Sequence, residues 1–150
     1  MTVATTTTAS FLEQIQVKTG LDDIYDARDL SEVVFRTMRD LMTKEASDRI
    51  ATDLANSTYL SDAERPEIIA LWKDTNPLVR LLSRMRSPFV IEDDTFIFRV
   101  EQEGTMPKNM DGITVIGVVF STLKKALSAA SIREIGQTLP GQIRVMWQNA

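Results

Sequence analysis

Apolar residues in the first third of the chain recur at the three- and four-residue spacing of amphipathic helices. Between residues 26 and 42 they share one helical face, with charged residues between them. These apolar positions are Ala27, Leu30, Val34, Met38 and Leu41. Before this segment, Ser10 and Glu13 form a capping-box pattern, and Gly20 is placed to end a helix. After it, Thr43 can cap a third apolar stripe, so three amphipathic helices in series are predicted.

The chain also matches itself. When Phe11 is aligned with Phe96, residues 11–54 match residues 96–139 without a gap, and eight pairs are identical. The first-copy members of the identical pairs are residues 11, 26, 33, 34, 35, 37, 50 and 54. Many other pairs keep apolar, basic or hydroxyl character, and residues 68–72 match residues 143–147 at a shorter displacement. This repeat register predicts two copies of one helical unit.

Propensity and register disagree in the second copy. The β-branched and aromatic residues within 95–103 and 113–120 favour strands. The register favours a helix for the second segment, through about Leu127, with Asp111 as its N-cap in the position that Asp26 occupies in the first copy. The first segment stays open between helix and strand.

We therefore predict an all-α fold, a helical bundle of two similar three- to four-helix repeats in a pseudo-twofold arrangement. One all-helical domain is expected over residues 10–150. Its parts are repeat one at about 10–73, a connecting helix at about 76–87 and repeat two at about 95–148. Residues 1–9 are predicted to be a disordered polar tail.

The composition limits the kinds of catalysis and metal binding that this chain can carry out. The chain has 150 residues, 17 Lys and Arg against 21 Asp and Glu, and neither His nor Cys. Thiol nucleophiles, His-dependent triads and Cys or His metal ligands are therefore excluded, and we expect no enzyme activity and no cofactor. The net charge of −4 argues against nucleic acid as a partner. No apolar run approaches the ~20 residues of a membrane span, and a cytoplasmic location is expected.

Four residues are candidates for ligand binding. Trp72 and Trp147 lie at matching ends of the two copies, where an indole could line a pocket, although tryptophans in such positions are more often lids of the core. Arg80 and Arg84 share one face of the predicted connecting helix and could hold a phosphate or an acidic partner. A solvated helix face that pairs with nearby acidic residues is the more common arrangement for such an arginine pair.

Two groups of acidic residues are possible sites for a hard cation. The groups are Asp22, Asp23, Asp26 and Asp29, and residues 92–94. Their spacing does not match an EF-hand loop. Acids that precede helices cap the first free amides and favour the positive end of the helix dipole, so we interpret both groups as caps and predict no metal site.

Two motifs resemble a known family. The first is the opening Phe-Leu-x-x-Ile helix from Phe11 to Gly20, and the second is the Leu-Pro-Gly-x-Ile-Arg-x-Met-Trp ending from Leu139 to Trp147. Together they resemble the bacterial family known as domain of unknown function 2267, in two copies. Leu54-Ala55-Asn56 stands where the first copy would have Leu-Pro-Gly. The resemblance implies an all-helical fold and no established activity, and it transfers no catalytic residue.

Helix faces are plentiful in this sequence and residues that commonly carry catalysis are scarce. The expected function is therefore a non-catalytic module for protein interaction, which binds another protein or itself. The alternative is small-ligand binding in the groove between the two repeats, near Trp72 and Trp147, because grooves between helices are common ligand sites.

Overall fold

The described residues form eight α-helices and no strand. They are residues 9–73 and 91–150 of a computed structural model. The helices are α1 (Phe11–Thr19), α2 (Ile24–Asp40), α3 (Lys44–Ala55), α4 (Arg65–Lys73), α5 (Asp93–Glu103), α6 (Gly112–Lys125), α7 (Ala129–Thr138) and α8 (Gly141–Asn149). The all-α prediction is confirmed. The predicted connecting helix at 76–87 and all but the last residue of the predicted tail lie outside the described residues.

The ends of α1 follow the sequence closely. The amide of Glu13 donates to Ser10 Oγ at 3.2 Å, and the amide of Ser10 donates to Glu13 Oε1 at 3.0 Å. The predicted capping box is therefore present. Gly20 ends the helix with φ at +73°, a left-handed conformation that glycine adopts without steric cost. The predicted cap at Thr43 is also confirmed, because its hydroxyl accepts from the Ala46 amide at 3.1 Å.

One predicted cap is wrong. Asp26 does not cap α2, because the helix already begins at Ile24. The cap is Asp23, which has extended backbone at φ −147° and accepts from the Asp26 amide at 3.0 Å. Asp26 thus lies in the first turn, where its own amide needs the acceptor. In the second copy Asp111 caps α6 as predicted, accepting from the Thr114 amide at 2.9 Å.

Both segments with strand propensity are helical. The first is α5, which answers the open question about residues 95–103, and the second is α6, as the register predicted. In α6 the buried β-branched and aromatic residues recur along one face, at Val115, Ile116, Val119 and Phe120. That face packs against the common core, and such packing outweighs an intrinsic preference of about 1 kcal/mol or less per residue.

The helices pack around one hydrophobic core, in which α2 and α6 contact each other. We call α1–α4 the first half and α5–α8 the second half. In the first half α2 contacts α1 and α4, and α4 contacts α3. In the second half α6 contacts α5 and α8, and α8 contacts α7. Between the halves, α1 contacts α6, α5 contacts α2, and α3 contacts α7. These pairings support the predicted pseudo-twofold arrangement of two repeats, which stays a prediction.

Candidate functional site

Trp72 lies inside the core of the first half. Its side chain is fully buried, and its ring meets that of Phe35 edge to face with centroids 5.5 Å apart. Phe35 in turn packs against Phe11, with centroids 6.1 Å apart. The indole Nε1 donates to the carbonyl of Ser47 at 3.0 Å. This is the environment of a core residue whose one polar atom is satisfied within the protein.

Trp147 has the same surroundings in the second half. It is 1% exposed, and its ring centroid lies 5.0 Å from that of Phe120. Phe120 packs against Phe96 with centroids 6.3 Å apart. The indole Nε1 donates to the carbonyl of Ile132 at 2.8 Å. Lys124 also lies over the indole, with Nζ 5.6 Å from the ring centroid.

The two aromatic clusters agree residue by residue. In the repeat register, Phe96 and Phe120 occupy the positions of the two phenylalanines in the first cluster, and Trp147 matches the first tryptophan at the shorter displacement. The carbonyls that accept from the indoles, of Ser47 and Ile132, also occupy equivalent positions of the register. This agreement supports two copies of one unit. Both tryptophans are integrated into the core, and their proposed ligand role stays a prediction.

The arginine pair of the sequence prediction, Arg80 and Arg84, lies outside the described residues. The structure therefore places neither side chain relative to Trp72 or Trp147.

The acidic residues at the start of α2 have different roles, since some make hydrogen bonds within the protein and others are exposed. Asp23 caps α2, and Asp29 Oδ2 accepts from the amide and the hydroxyl of Thr105 at 3.0 and 2.7 Å. The pKa of Asp26 is raised by desolvation and by the charges of Asp23, Asp22 and Asp29. In the second group, Asp93 Oδ2 accepts from the Gln142 amide at 3.0 Å. Within residues 9–73 and 91–150, no group of acidic side chains is arranged to hold a metal ion.

An alternating network of charges joins α2 to α5. Arg99 Nη2 donates to Asp40 Oδ2 at 2.8 Å, and Arg99 Nε lies 3.6 Å from Glu103. Arg36 connects the same Glu103, at 3.6 Å, to Glu32, at 2.9 Å. The Asp40 side chain is only 11% exposed, so this contact brings its own countercharges into a partly buried position.

The contact between α1 and α6 carries cations instead. Lys125 Nζ lies 3.5 Å from Gln14 Oε1, and the Gln14 amide group exchanges hydrogen bonds with the Tyr59 hydroxyl at 3.0 and 3.2 Å. Burial and the neighbouring Lys125 lower the pKa of Lys18. In the described part of the chain, neither of these two lysines forms an ion pair. The α1–α6 contact therefore has two positive charges close together, and no carboxylate of residues 9–73 and 91–150 forms an ion pair with either.

The contact between α3 and α7 is a two-point ion pair. Arg49 Nε donates to both carboxylate oxygens of Glu134 at 3.1 Å. Arg49 Nη2 also donates to Glu134 Oε2, in a shorter hydrogen bond. Beside it, Asp53 Oδ2 accepts from the Ser128 amide at 2.7 Å. Burial acts to raise the pKa of Asp53, but the hydrogen bonds from Ser128 and Ser131 outweigh it and lower the pKa. These groups are committed to holding the two halves together.

A shallow cleft of about 210 Å³ lies between the start of α1 and the loop before α4. Its polar lining includes the Ser10–Glu13 capping box and a second reciprocal pair, in which the Glu64 amide donates to Ser61 Oγ at 3.2 Å. Glu64 uses one carboxylate oxygen for the Phe11 amide at 2.7 Å and the other for the Ser61 amide at 2.8 Å. The carboxylate is fully engaged in structure. The cleft is thus a small polar recess in which Glu64 serves to hold the start of α1 and the loop before α4.

Sequence reasoning missed the two lysines at the α1–α6 contact as a unit. Lys18 and Lys125 lie near opposite ends of the chain, and no motif joins them. The only signal was the repeat register, which aligns Lys125 with Asp40 and so marks a position where the two copies differ in charge.

None of the helices formed by residues 9–73 and 91–150 combines the length and the apolar character needed to cross a membrane. A search of the curated proteins found no match to this chain. A family model did match, over residues 8–146, which is nearly the whole chain. The protein therefore belongs to DUF2267, a family described as an uncharacterized conserved protein.

Proposed function

We propose that this protein is a non-catalytic interaction module, which binds another protein or a second copy of itself through its outer helix faces. The observation that carries the proposal is the exposure of large apolar side chains on those faces. Tyr25 on α2 is 72% exposed and Phe98 on α5 is 59% exposed. Aromatic residues are enriched in protein interfaces because they bury a large area at a small cost in conformational entropy.

The use of the charged groups supports the same proposal. Several of the carboxylates that the sequence singles out cap helices or join elements, as Asp23, Asp29 and Asp93 do. The arginine at the centre of the α2–α5 contact, Arg99, is held by two carboxylates. Groups that are fixed in this way stabilise a scaffold, and a scaffold with a well-packed core can present a rigid surface to a partner.

The proposal includes a cytoplasmic location and a protein as the partner. A cytoplasmic location fits a chain without cysteine, and a protein partner fits a chain whose net charge of −4 disfavours nucleic acid. Small-ligand binding near Trp72 and Trp147 stays the alternative. It requires an opening to one of two indoles that the core now covers.

The test compares the wild-type chain with a double variant, Tyr25→Ser with Phe98→Ser. Each protein is immobilised as bait for native-cell extract, and each is also measured alone by light scattering for self-association. Gln102→Ser, at an exposed polar residue of α5, is the matched control. We expect wild type and control to bind the same partner, or to self-associate, and the double variant to lose most of this binding. Identical results for all three proteins would overturn the proposal.

A further inference from the structure

Two surfaces carry opposite charge, one at the contact of α1 with α6 and the other at the start of α2. Within the described residues, neither charge is balanced by an ion pair. We call the first the lysine face, which comprises Gln14, Val17, Lys18 and Lys125. We call the second the aspartate face, which comprises Asp22, Tyr25 and Asp26. Each contains one of the two most exposed large apolar residues of the described chain, since Val17 is 78% and Tyr25 is 72% exposed.

The lysine face differs in charge from the equivalent contact in the other half of the molecule. Three positions coincide in the repeat register: Asp40 with Lys125, Arg99 with Gln14, and Glu103 with Lys18. At the α2–α5 contact the arginine meets both carboxylates, at 2.8 and 3.6 Å. At the α1–α6 contact the neutral Gln14 takes the place of the arginine, and its Oε1 lies 3.5 Å from Lys125 Nζ. Counting the described residues, the equivalent packing is thus balanced by ion pairs at the α2–α5 contact and left positive at the α1–α6 contact.

Repulsion within the lysine face has a physical cost that an external anion would remove. Burial is the largest cause of the lowered pKa of Lys18, and the nearby Lys125 lowers this pKa further. A carboxylate placed between them would favour both charged forms. The described residues supply none within ion-pairing distance of either ammonium.

The aspartate face has the complementary property. Asp22 and Asp26 are not held by a cation in the described part of the chain, and desolvation and neighbouring carboxylates raise the pKa of Asp26. Asp23 and Asp29 differ, because the first caps α2 and the second binds Thr105. Tyr25, between the two free aspartates in sequence, supplies an apolar surface beside the negative charge.

We propose that the lysine face of one copy binds the aspartate face of a second copy. This inference rests on the proposed function and names its partner as the chain itself. A twofold axis pairs each face with the other twice, so that the assembly closes as a dimer. Val17 and Tyr25 then provide the apolar centre of each contact, and the charges fix its orientation and exclude wrong pairings.

Charge reversal with complementation tests this contact. The lysine-face variant carries Lys18→Glu and Lys125→Glu. The aspartate-face variant carries Asp22→Lys and Asp26→Lys, and it keeps the helix cap at Asp23. In each variant alone, both contacts of the dimer would bring like charges together. In an equimolar mixture of the two, both contacts regain opposite charges.

The matched control carries Lys108→Glu and Arg133→Glu, which changes the net charge as much as the lysine-face variant does. Both control residues are exposed, one before α6 and the other on α7. Sedimentation velocity over a wide concentration range gives the mass of each sample. We expect wild type and control to double in mass as concentration rises. Each single-face variant should stay monomeric, with dimerisation weakened at least about tenfold, and the mixture should dimerise again.

Three results would overturn this contact. The first is dimerisation of either face variant with wild-type affinity, and the second is a wild-type dimer whose two variants fail to complement each other. Both would leave the proposed function intact, because the chain would associate through another face. The third is a wild-type monomer at every concentration, and then the bait experiment alone judges the proposed function. Circular dichroism checks the folding of each variant. If the aspartate-face variant does not fold, a double variant with Asp22→Asn and Asp26→Asn replaces it. A folded monomer of this replacement supports the contact, and its dimerisation with wild-type affinity overturns the contact.

Discussion

Arg49 on α3 and Glu134 on α7 occupy the same position of the repeat register and form a two-point ion pair across the contact between the halves. In the predicted pseudo-twofold arrangement, a residue on the axis would face its own counterpart, so two residues of the same charge there would repel each other. Opposite charges at this one pair of positions join the two halves without that repulsion.

The first prediction is that the Arg49–Glu134 contact depends on opposite charge and not on the identity of either residue. Arg49→Glu should lower the melting temperature, because two carboxylates would then face each other across α3 and α7. The swapped double variant, Arg49→Glu with Glu134→Arg, should recover most of the loss. Differential scanning calorimetry of wild type, both single variants and the swapped variant gives the coupling, and equal losses in the single and swapped variants would contradict the prediction.

The second prediction concerns acid stability. The pKa of Asp53 is lower in the folded protein than its ordinary value of 3.8, because hydrogen bonds from Ser128 and Ser131 outweigh the effect of burial. The stabilisation is therefore present above the unfolded-state pKa and is lost as the pH falls through the lowered folded-state pKa. Asp53→Ala should cost about 1 kcal/mol near neutral pH and less in acid.

Urea unfolding across the acid range measures this dependence. Asp53→Asn keeps an oxygen for the Ser128 amide and loses the proton-linked part, so its free energy of unfolding should change less with pH than that of wild type. Asp94→Asn, at an exposed residue of α5, is the control. A wild-type pH profile in the Asp53→Asn protein would contradict the prediction.

Helix positions were predictable where one apolar stripe and one cap coincided. Ser10 and Thr43 each begin a helix as predicted, because a hydroxyl can accept the amide three residues later. Ser128 begins α7 in the same way. Local propensity was misleading at Val115 to Phe120, and only the comparison of the two copies indicated a helix. The burial of that face shows why, since tertiary packing decides a segment that could form either structure.

The candidate site was less predictable, because sequence reports residue types and not their partners. Asp23 and Asp26 are both suitable caps, and the choice depends on where the chain leaves the turn after Gly20. The lysine face joins Lys18 and Lys125, which come together only when α1 packs on α6. A charge is unbalanced only relative to its three-dimensional neighbours, so no linear motif could mark it.

The third prediction separates two glycines with the same open surroundings. A Cβ built on Gly20 or on Gly117 meets no atom within 4 Å. Gly20 has φ at +73°, so Gly20→Ala should cost about 1–2 kcal/mol from backbone strain alone. Gly117 lies inside α6, where Gly117→Ala should stabilise the protein by about 0.5–1 kcal/mol. Urea unfolding of both variants checks the signs, and a shared sign would contradict the argument.

The fourth prediction addresses the two tryptophans. Replacing Trp72 or Trp147 by Phe removes the indole N–H and leaves the carbonyl of Ser47 or Ile132 without its buried donor. Each replacement should lower the free energy of unfolding by about 1–3 kcal/mol. Phe98→Leu, at a residue that is 59% exposed, is the control and should change it by no more than about 0.5 kcal/mol.

Quenching of tryptophan fluorescence by acrylamide tests the same arrangement from outside. Because Trp72 and Trp147 are 0% and 1% exposed, each single-tryptophan protein should show blue-shifted emission and weak quenching. A ligand in contact with either indole requires an opening that would also admit acrylamide. Strong quenching of one indole, together with wild-type stability after its replacement by Phe, would contradict its role in the core and favour the small-ligand alternative at that end of the bundle.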